Sequence, residues 1–196
     1  MKVDRNFYNR DARIVGQDLI GKTLVRKYNH TLIKSRIIET EAYIAAIDKA
    51  SHGYGGKITP RTRVMFGPPG YTYVYLIYGM YYCLNFVTEE EGVGSGVLIR
   101  AVEPLENIEQ MYLNRYNKPL NELTNYQKKN LSNGPGKLCN ALKITTEHNG
   151  IDLTANEIYV EDAGYKAFTL EKSKRINIDY AEEAKDFLWR YTIKDL

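Results

Sequence analysis

Tyr71-Thr72-Tyr73-Val74-Tyr75-Leu76-Ile77-Tyr78-Gly79-Met80-Tyr81-Tyr82-Cys83-Leu84-Asn85-Phe86 is the stretch on which the reading of this chain turns. Two aromatic and β-branched runs around Tyr78-Gly79 predict a β-hairpin. Hairpin tips are normally polar, yet this one carries Ile77, Tyr78 and Met80. An apolar tip either tucks into the core or inserts into a partner, and the minor groove of DNA takes such wedges between base steps. A two-residue Tyr78-Gly79 loop would force positive φ on Tyr78, which a bulky side chain resists. A three-residue loop, Ile77-Tyr78-Gly79, puts the left-handed residue at Gly79 instead. That closure pairs Leu76 with Met80, Tyr75 with Tyr81 and Tyr71 with Asn85, so that Tyr75, Tyr81 and Asn85 share a face. It predicts negative φ at Tyr78, positive φ at Gly79 and a Tyr78 ring in solvent.

Working outward, Lys22–Tyr28 and Thr31–Ile44 are β-branched runs separated by Asn29-His30, and Gly96–Val102 reads as a further strand. Asp11 is placed to cap a helix running to Ile20 and stopped by Gly21, although Gly16 weakens its middle. Ser51–Gly70, with its HGYGG, TPR and GPPG clusters, reads as loop. Pro104 introduces a predicted helix over Leu105–Tyr116, and a short helix follows over Lys137–Leu142. Ile158–Glu161 and Arg175–Ile178 read as late strands, and Tyr180–Lys185 as a polar helical turn. No linker or repeat divides the 196 residues. The expectation is one α+β domain over 1–196, with a mostly antiparallel sheet, peripheral helices and a protruding hairpin.

Composition narrows the class. The chain is 43% hydrophobic and 26% charged, as in ordinary globular proteins. No apolar run approaches a membrane span, and the charged start MKVDRNFYNRDAR lacks the apolar segment of a signal peptide. Cys83 and Cys139 form neither a disulfide framework nor, with three histidines, a metal quartet, so a reduced cytoplasmic setting is expected. The net charge is only +3, but its distribution is uneven. Residues 1–38 carry nine Lys/Arg against three Asp, and Lys49–Thr88 contains no acidic residue while holding seven of the seventeen tyrosines. Positive charge interleaved with aromatic rings suits a surface that follows phosphates and stacks on bases; a tyrosine-rich sheet beside a solvated basic loop would look the same.

Chemistry has few places to sit. In Glu39-Thr40-Glu41-Ala42-Tyr43 the strand period puts Glu39, Glu41 and Tyr43 on one face, with the carboxylates roughly 6.5 Å apart along the strand. Such a pair can perform acid–base work on a glycosidic bond, or can simply be an exposed polar face pairing with Arg36. His52 stands alone in a glycine-rich loop. Gly92-Val93-Gly94-Ser95-Gly96 has the glycines of a phosphate loop but no helix after it, and reads as a strand connection.

Taken together, ETEAY (39–43), ASH (50–52), TPR (59–61), YVYLIYGMYYCLN (73–85), LIRAVEP (98–104) and GPGKLCNAL (134–142) resemble the alkyladenine, or 3-methyladenine, DNA glycosylases of the vertebrate-type and bacterial family. The matching strings run from about Asp18 to Leu153; the first residues and Ala155–Leu196 match loosely. The Thr88–Gly94 connection, with Glu89-Glu90-Glu91, departs from the family pattern and is expected close to the site. The resemblance implies a monofunctional, cofactor-free chemistry in which water is the nucleophile, with neither metal nor Schiff base, acting on damaged purines flipped out of double-stranded DNA by a monomeric enzyme. It implies that Glu41 is the general base and that Arg100 helps to hold the water. It places Tyr43, His52 and Tyr75 on the walls of the base pocket and Asn85 against the guanine amino position. Tyr78 fills the gap left in the helix, with Met80 beside it, and Thr59, Tyr81, Arg115 and Lys137 meet the DNA backbone.

Elementary chemistry points the same way. Loss of a purine leaves oxocarbenium character on the sugar, which a carboxylate stabilises while it deprotonates water. An alkylated purine is cationic and stacks well on tyrosine rings, whereas neutral hypoxanthine needs a proton on leaving. Two other readings use parts of the pattern. A non-catalytic nucleic-acid module would use the basic, aromatic surface but has no need of Glu41 or Arg100. A carbohydrate hydrolase would use Glu39 and Glu41 but not the apolar tip.

Overall fold

The computed structural model describes residues 1–194. Its strands are β1 (Thr23–Tyr28), β2 (Thr31–Tyr43), β3 (Thr72–Ile77), β4 (Tyr81–Thr88), β5 (Ser95–Glu106), β6 (Ile158–Glu161), β7 (Leu170–Ser173) and β8 (Arg190–Ile193). They form one eight-stranded sheet in the order β3-β4-β5-β2-β1-β6, with β8 joined to β2 and β7 to β8. All of these pairings are antiparallel. Five helices surround it: α1 (Arg5–Tyr8), α2 (Ala12–Leu19), α3 (Ile108–Tyr116), α4 (Asn125–Lys129) and α5 (Pro135–Ala141). The α+β expectation is met.

The long strand β2 organises the sheet. Its first half pairs with β1, its second half with β8, and its other edge with β5. Register shifts against β5 on both sides of Glu39 mark a bulge there. Thr40, on the face opposite Glu41, donates its hydroxyl to the Gly16 carbonyl at 2.8 Å and so ties α2 to the sheet. A Cβ on Gly16 would lie 2.9 Å from the Tyr191 ring, which explains a glycine in mid-helix. Asp11 caps α2 through the Arg13 amide, and Gly21 follows at φ 84°, as expected. The main core gathers on this face, where Leu84, Phe86 and Ile99 are fully buried, each stabilising the fold by about 1.5–3 kcal/mol. Two smaller clusters occupy the other face: Met65, Phe66, Tyr73 and Val87, and Ala50, Ile178, Ala181 and Ala184.

Two local expectations are corrected. Pro104 does not open a helix but lies inside β5, and α3 starts only at Ile108. β4 pairs with β5 only over Ser95–Leu98, so one edge of β5 is open at Pro104, and a register shift against β2 lies beside it; both features tolerate the missing N–H. Asn107, left-handed at φ 58°, then ends the strand. Arg175–Ile178 is loop rather than strand; the late strands are β7 and β8, which flank it.

The hairpin also closes differently. Ile77 pairs with Tyr81, Tyr75 with Cys83 and Tyr73 with Asn85, leaving Tyr78-Gly79-Met80 as the loop. The Met80 amide donates to the Ile77 carbonyl at 3.3 Å, across a turn whose central residues are both left-handed, Tyr78 at φ 53° and Gly79 at φ 68°. Gly79 is as expected; the negative φ expected at Tyr78 is wrong. Both central φ values belong to the primed turn that matches strand twist, and Met80 is the extra residue that restores pairing. The odd loop length preserves the parity, so Tyr75, Tyr81 and Asn85 do share a face. Tyr78 projects from the tip, 73% exposed.

Candidate active site

The sheet's register assembles the site. Tyr73 lies opposite Asn85, Asn85 opposite Leu98, Leu98 opposite Glu41 and Glu41 opposite Arg190. Directly paired residues point to one face, so this row crosses five strands on the side away from α2. Two residues along their strands stand Tyr75, Arg100, Glu39 and Tyr43, completing the same face. Between the two small clusters a cavity of about 250 Å³ opens, lined by Tyr43, His52, Tyr75, Asn85, Arg100 and Tyr78 among others.

Glu41 is fully buried. One of its oxygens accepts from the Tyr43 hydroxyl at 2.8 Å and from an Arg100 terminal nitrogen at 3.3 Å; the other accepts from the Ile176 amide at 2.8 Å. Glu39 has a different environment. It accepts from Arg100 Nε at 2.9 Å and from Arg190 Nε at 2.6 Å, so Arg100 bridges the two carboxylates. Arg36 pairs with Glu103 and takes no part. Burial opposes the Arg100 charge, but Glu41 and Glu39 outweigh it and hold its pKa above the ordinary value. Burial, reinforced by Glu41, raises the Tyr43 phenol and keeps it a hydrogen-bond donor.

The aromatic walls are interlocked. The rings of His52 and Tyr75 lie 4.6 Å apart, those of Tyr73 and Tyr75 5.2 Å apart, and His52 Nδ1 is 3.0 Å from the Tyr73 hydroxyl. His52 is exposed, yet desolvation among these rings, and then the Arg61 charge, push its pKa down to about 4, which leaves the imidazole uncharged at neutral pH. Arg61 stacks 5.1 Å from the Tyr75 centroid. Asn85 donates from Nδ2 to the Tyr73 carbonyl at 3.0 Å and the Cys83 carbonyl at 3.4 Å, which fixes its side chain.

The residues expected at a DNA backbone are more dispersed. Tyr81 and the exposed Met80 stand at the hairpin end, with Tyr81 against Gly136, where a Cβ would come within 2.8 Å of its ring. Lys137 donates to Asn130 and Asn133, and Arg115 to the Leu131 carbonyl, so both are engaged within the protein. The Thr59 hydroxyl is 3.0 Å from that of Thr62, inside its own loop. The acidic Glu89–Glu91 turn lies at the end of β4 opposite the tip, where Glu89 accepts from the Ala12 amide at the start of α2 and neighbours Ser95 of the cavity lining.

The sequence model of methylpurine-DNA glycosylase (MPG) matches residues 6–196. The chain belongs to this family. It is a DNA glycosylase, an enzyme of DNA repair. It is 58% identical over 198 residues to a Clostridium perfringens protein, 56% over 195 residues to one from Alkaliphilus oremlandii and 53% over 196 residues to one from Clostridium botulinum. In each case the match covers 100% of this chain and 96–97% of the relative, and each relative is provisionally named 3-methyladenine DNA glycosylase. The match extends through the C-terminal segment, where the sequence motifs were sparse. That segment supplies Ile176, Asn177, Ile178 and Tyr180 to the glycosylase's cavity. Sequence reasoning missed them, along with Arg190; the alternating Trp189-Arg190-Tyr191-Thr192-Ile193 was a legible strand signal for the last. Among the described residues no helix is long and apolar enough to cross a membrane.

Proposed function

We propose that this glycosylase, acting as a monomer, hydrolyses the N-glycosidic bond of alkylated or deaminated purines in double-stranded DNA, namely 3-methyladenine, 7-methylguanine and hypoxanthine. The observation that carries the reading is the buried Glu41 carboxylate, held by Arg100 and Tyr43 beside a tyrosine-lined cavity whose mouth adjoins the exposed Tyr78. The damaged nucleotide flips into the cavity while Tyr78, with Met80 beside it, fills the space it leaves. Thr59, Tyr81, Arg115 and Lys137 hold the backbone, the last two after releasing their internal partners.

Glu41 accepts a proton from water as the water oxygen bonds to the sugar C1′. The C1′–N bond breaks and its electron pair leaves with the base. A cationic alkylpurine departs neutral; hypoxanthine must take up a proton as it leaves. The products are the free base and an abasic sugar. Arg100 orients the water, and the carboxylate offsets the positive charge developing on the sugar. Tyr43, His52 and Tyr75 hold the base, and an uncharged His52 does not repel a cationic one. Asn85, fixed by two backbone carbonyls, stands against the 2-amino position of guanine and raises the cost of admitting it. The test is release of free base from duplexes carrying hypoxanthine or 3-methyladenine. Release from these and not from undamaged duplex is expected; binding without release from either would favour a non-catalytic module.

A further inference from the structure

Glu41 has three donors from three parts of the chain, and the third raises a question. Tyr43 lies on its own strand and Arg100 on β5, but the Ile176 amide belongs to loop residues 174–180, which have no strand partner. What holds that amide in place is the preceding residue. Arg175 is fully buried at its side chain, as is Asp48, 127 residues away in sequence. Its guanidinium donates to both oxygens of Asp48, the second at 2.8 Å, to the Ala42 carbonyl at 2.9 Å and to the Ala184 carbonyl at 3.1 Å. It also lies 4.6 Å from the Tyr43 ring and 5.2 Å from that of Trp189. Asp48 in turn accepts from the Ala50 amide at 2.9 Å, fixing the turn that leads to His52.

A buried ion pair is a weak source of stability compared with apolar packing of the same volume. What this one provides is position. It fastens the loop to the residue between Glu41 and Tyr43, and does so one peptide away from the N–H that meets Glu41. The geometry points to Arg175 and Asp48 as positioning residues for the reaction: they hold the Ile176 amide on Glu41, and through it fix the carboxylate beside the cavity. This rests on the reading of Glu41 as the base. The ionisable groups facing Glu41 are Arg100 from β5, Tyr43 and Glu39 from β2, Arg190 from β8 and Cys83 from β4, with the Arg175 charge behind the Tyr43 ring.

The test uses the full chain and single-turnover base release from a hypoxanthine duplex across pH, with affinity measured on a duplex carrying an abasic-site analogue. Replacing the Ile176 amide with an ester removes the N–H and preserves the shape. It is expected to slow release by about tenfold to a hundredfold, the effect of losing a hydrogen bond to a charged group, with affinity little changed. Because the lost donor favoured the carboxylate, the acid limb of the rate profile moves to higher pH. Arg175→Met is expected to give the same slowing and limb shift, and Arg175→Lys to recover part of both. If Arg175→Met does not fold, Arg175→Lys and the ester decide. An ester protein with the wild-type rate and limb, or a slowed one whose limb has not moved, overturns the proposal. Glu41→Gln separates the two claims: if it retains wild-type release, the reading of Glu41 itself falls, whereas an inactive Glu41→Gln beside a wild-type ester protein removes only the positioning role.

Discussion

Tyr78 is expected to give stability and function opposite signs. Its φ of 53° puts a bulky side chain in the left-handed region, and its ring is 73% exposed, so little burial offsets the strain. The strain is about 1–2 kcal/mol. Tyr78→Asn keeps a Cβ but supplies a residue that tolerates this conformation. Allowing for the small cost that Asn itself retains, about 1 kcal/mol of stabilisation survives, a rise in Tm of about 2–4 °C for a chain of this size. The same change removes the ring that, on the proposed function, fills the gap in DNA. Stacking of one base on an aromatic is worth about 1–3 kcal/mol, so affinity for a damaged duplex should weaken by about 5- to 150-fold. Thermal unfolding of the free protein and a binding titration read the two effects separately. A Tm that falls, or an affinity that does not change, would refute the reasoning.

Two further outcomes follow from the cavity walls. Asn85→Ser, which shortens a side chain pinned to the Tyr73 carbonyl, should raise excision of 7-methylguanine relative to hypoxanthine; an unchanged ratio in paired single-turnover assays would remove Asn85 from substrate selection. The His52 ring should titrate near 4 rather than 6.5 by NMR. The unfolded chain therefore binds a proton that the folded chain refuses, and His52 contributes a loss of stability as pH falls from about 6.5 to about 4. A ring titrating near 6.5 would contradict its desolvation against Tyr73 and Tyr75.

Much of the site was legible because strand parity is robust. The two-residue period alone puts Glu39, Glu41 and Tyr43 on one face, and any odd-length hairpin loop puts Tyr75 with Asn85. The hairpin register was less legible, because local rules disfavour a left-handed Tyr78, whereas the formed turn accepts it and takes Met80 as its extra residue. Pro104 misled for a similar reason: its cost depends on whether a neighbouring strand needs its N–H, and β4 has already ended there. The Arg175–Asp48 pair had no local signature at all. Arg175–Ile178 looks like a strand by composition, but its N–H and guanidinium donors serve Glu41, Asp48 and two distant carbonyls instead.

On the proposed function Glu41, and not its neighbour two residues away, activates water. Both carboxylates touch Arg100, but only Glu41 is fully buried and also held by Tyr43 and Ile176. Single-turnover base release by Glu41→Gln and Glu39→Gln, measured on one damaged duplex beside their affinities for it, tests this directly. Glu41→Gln is expected to bind the duplex nearly as well as the wild type but to release no base, with Glu39→Gln only mildly slowed. Equal loss of release in the two variants would contradict it.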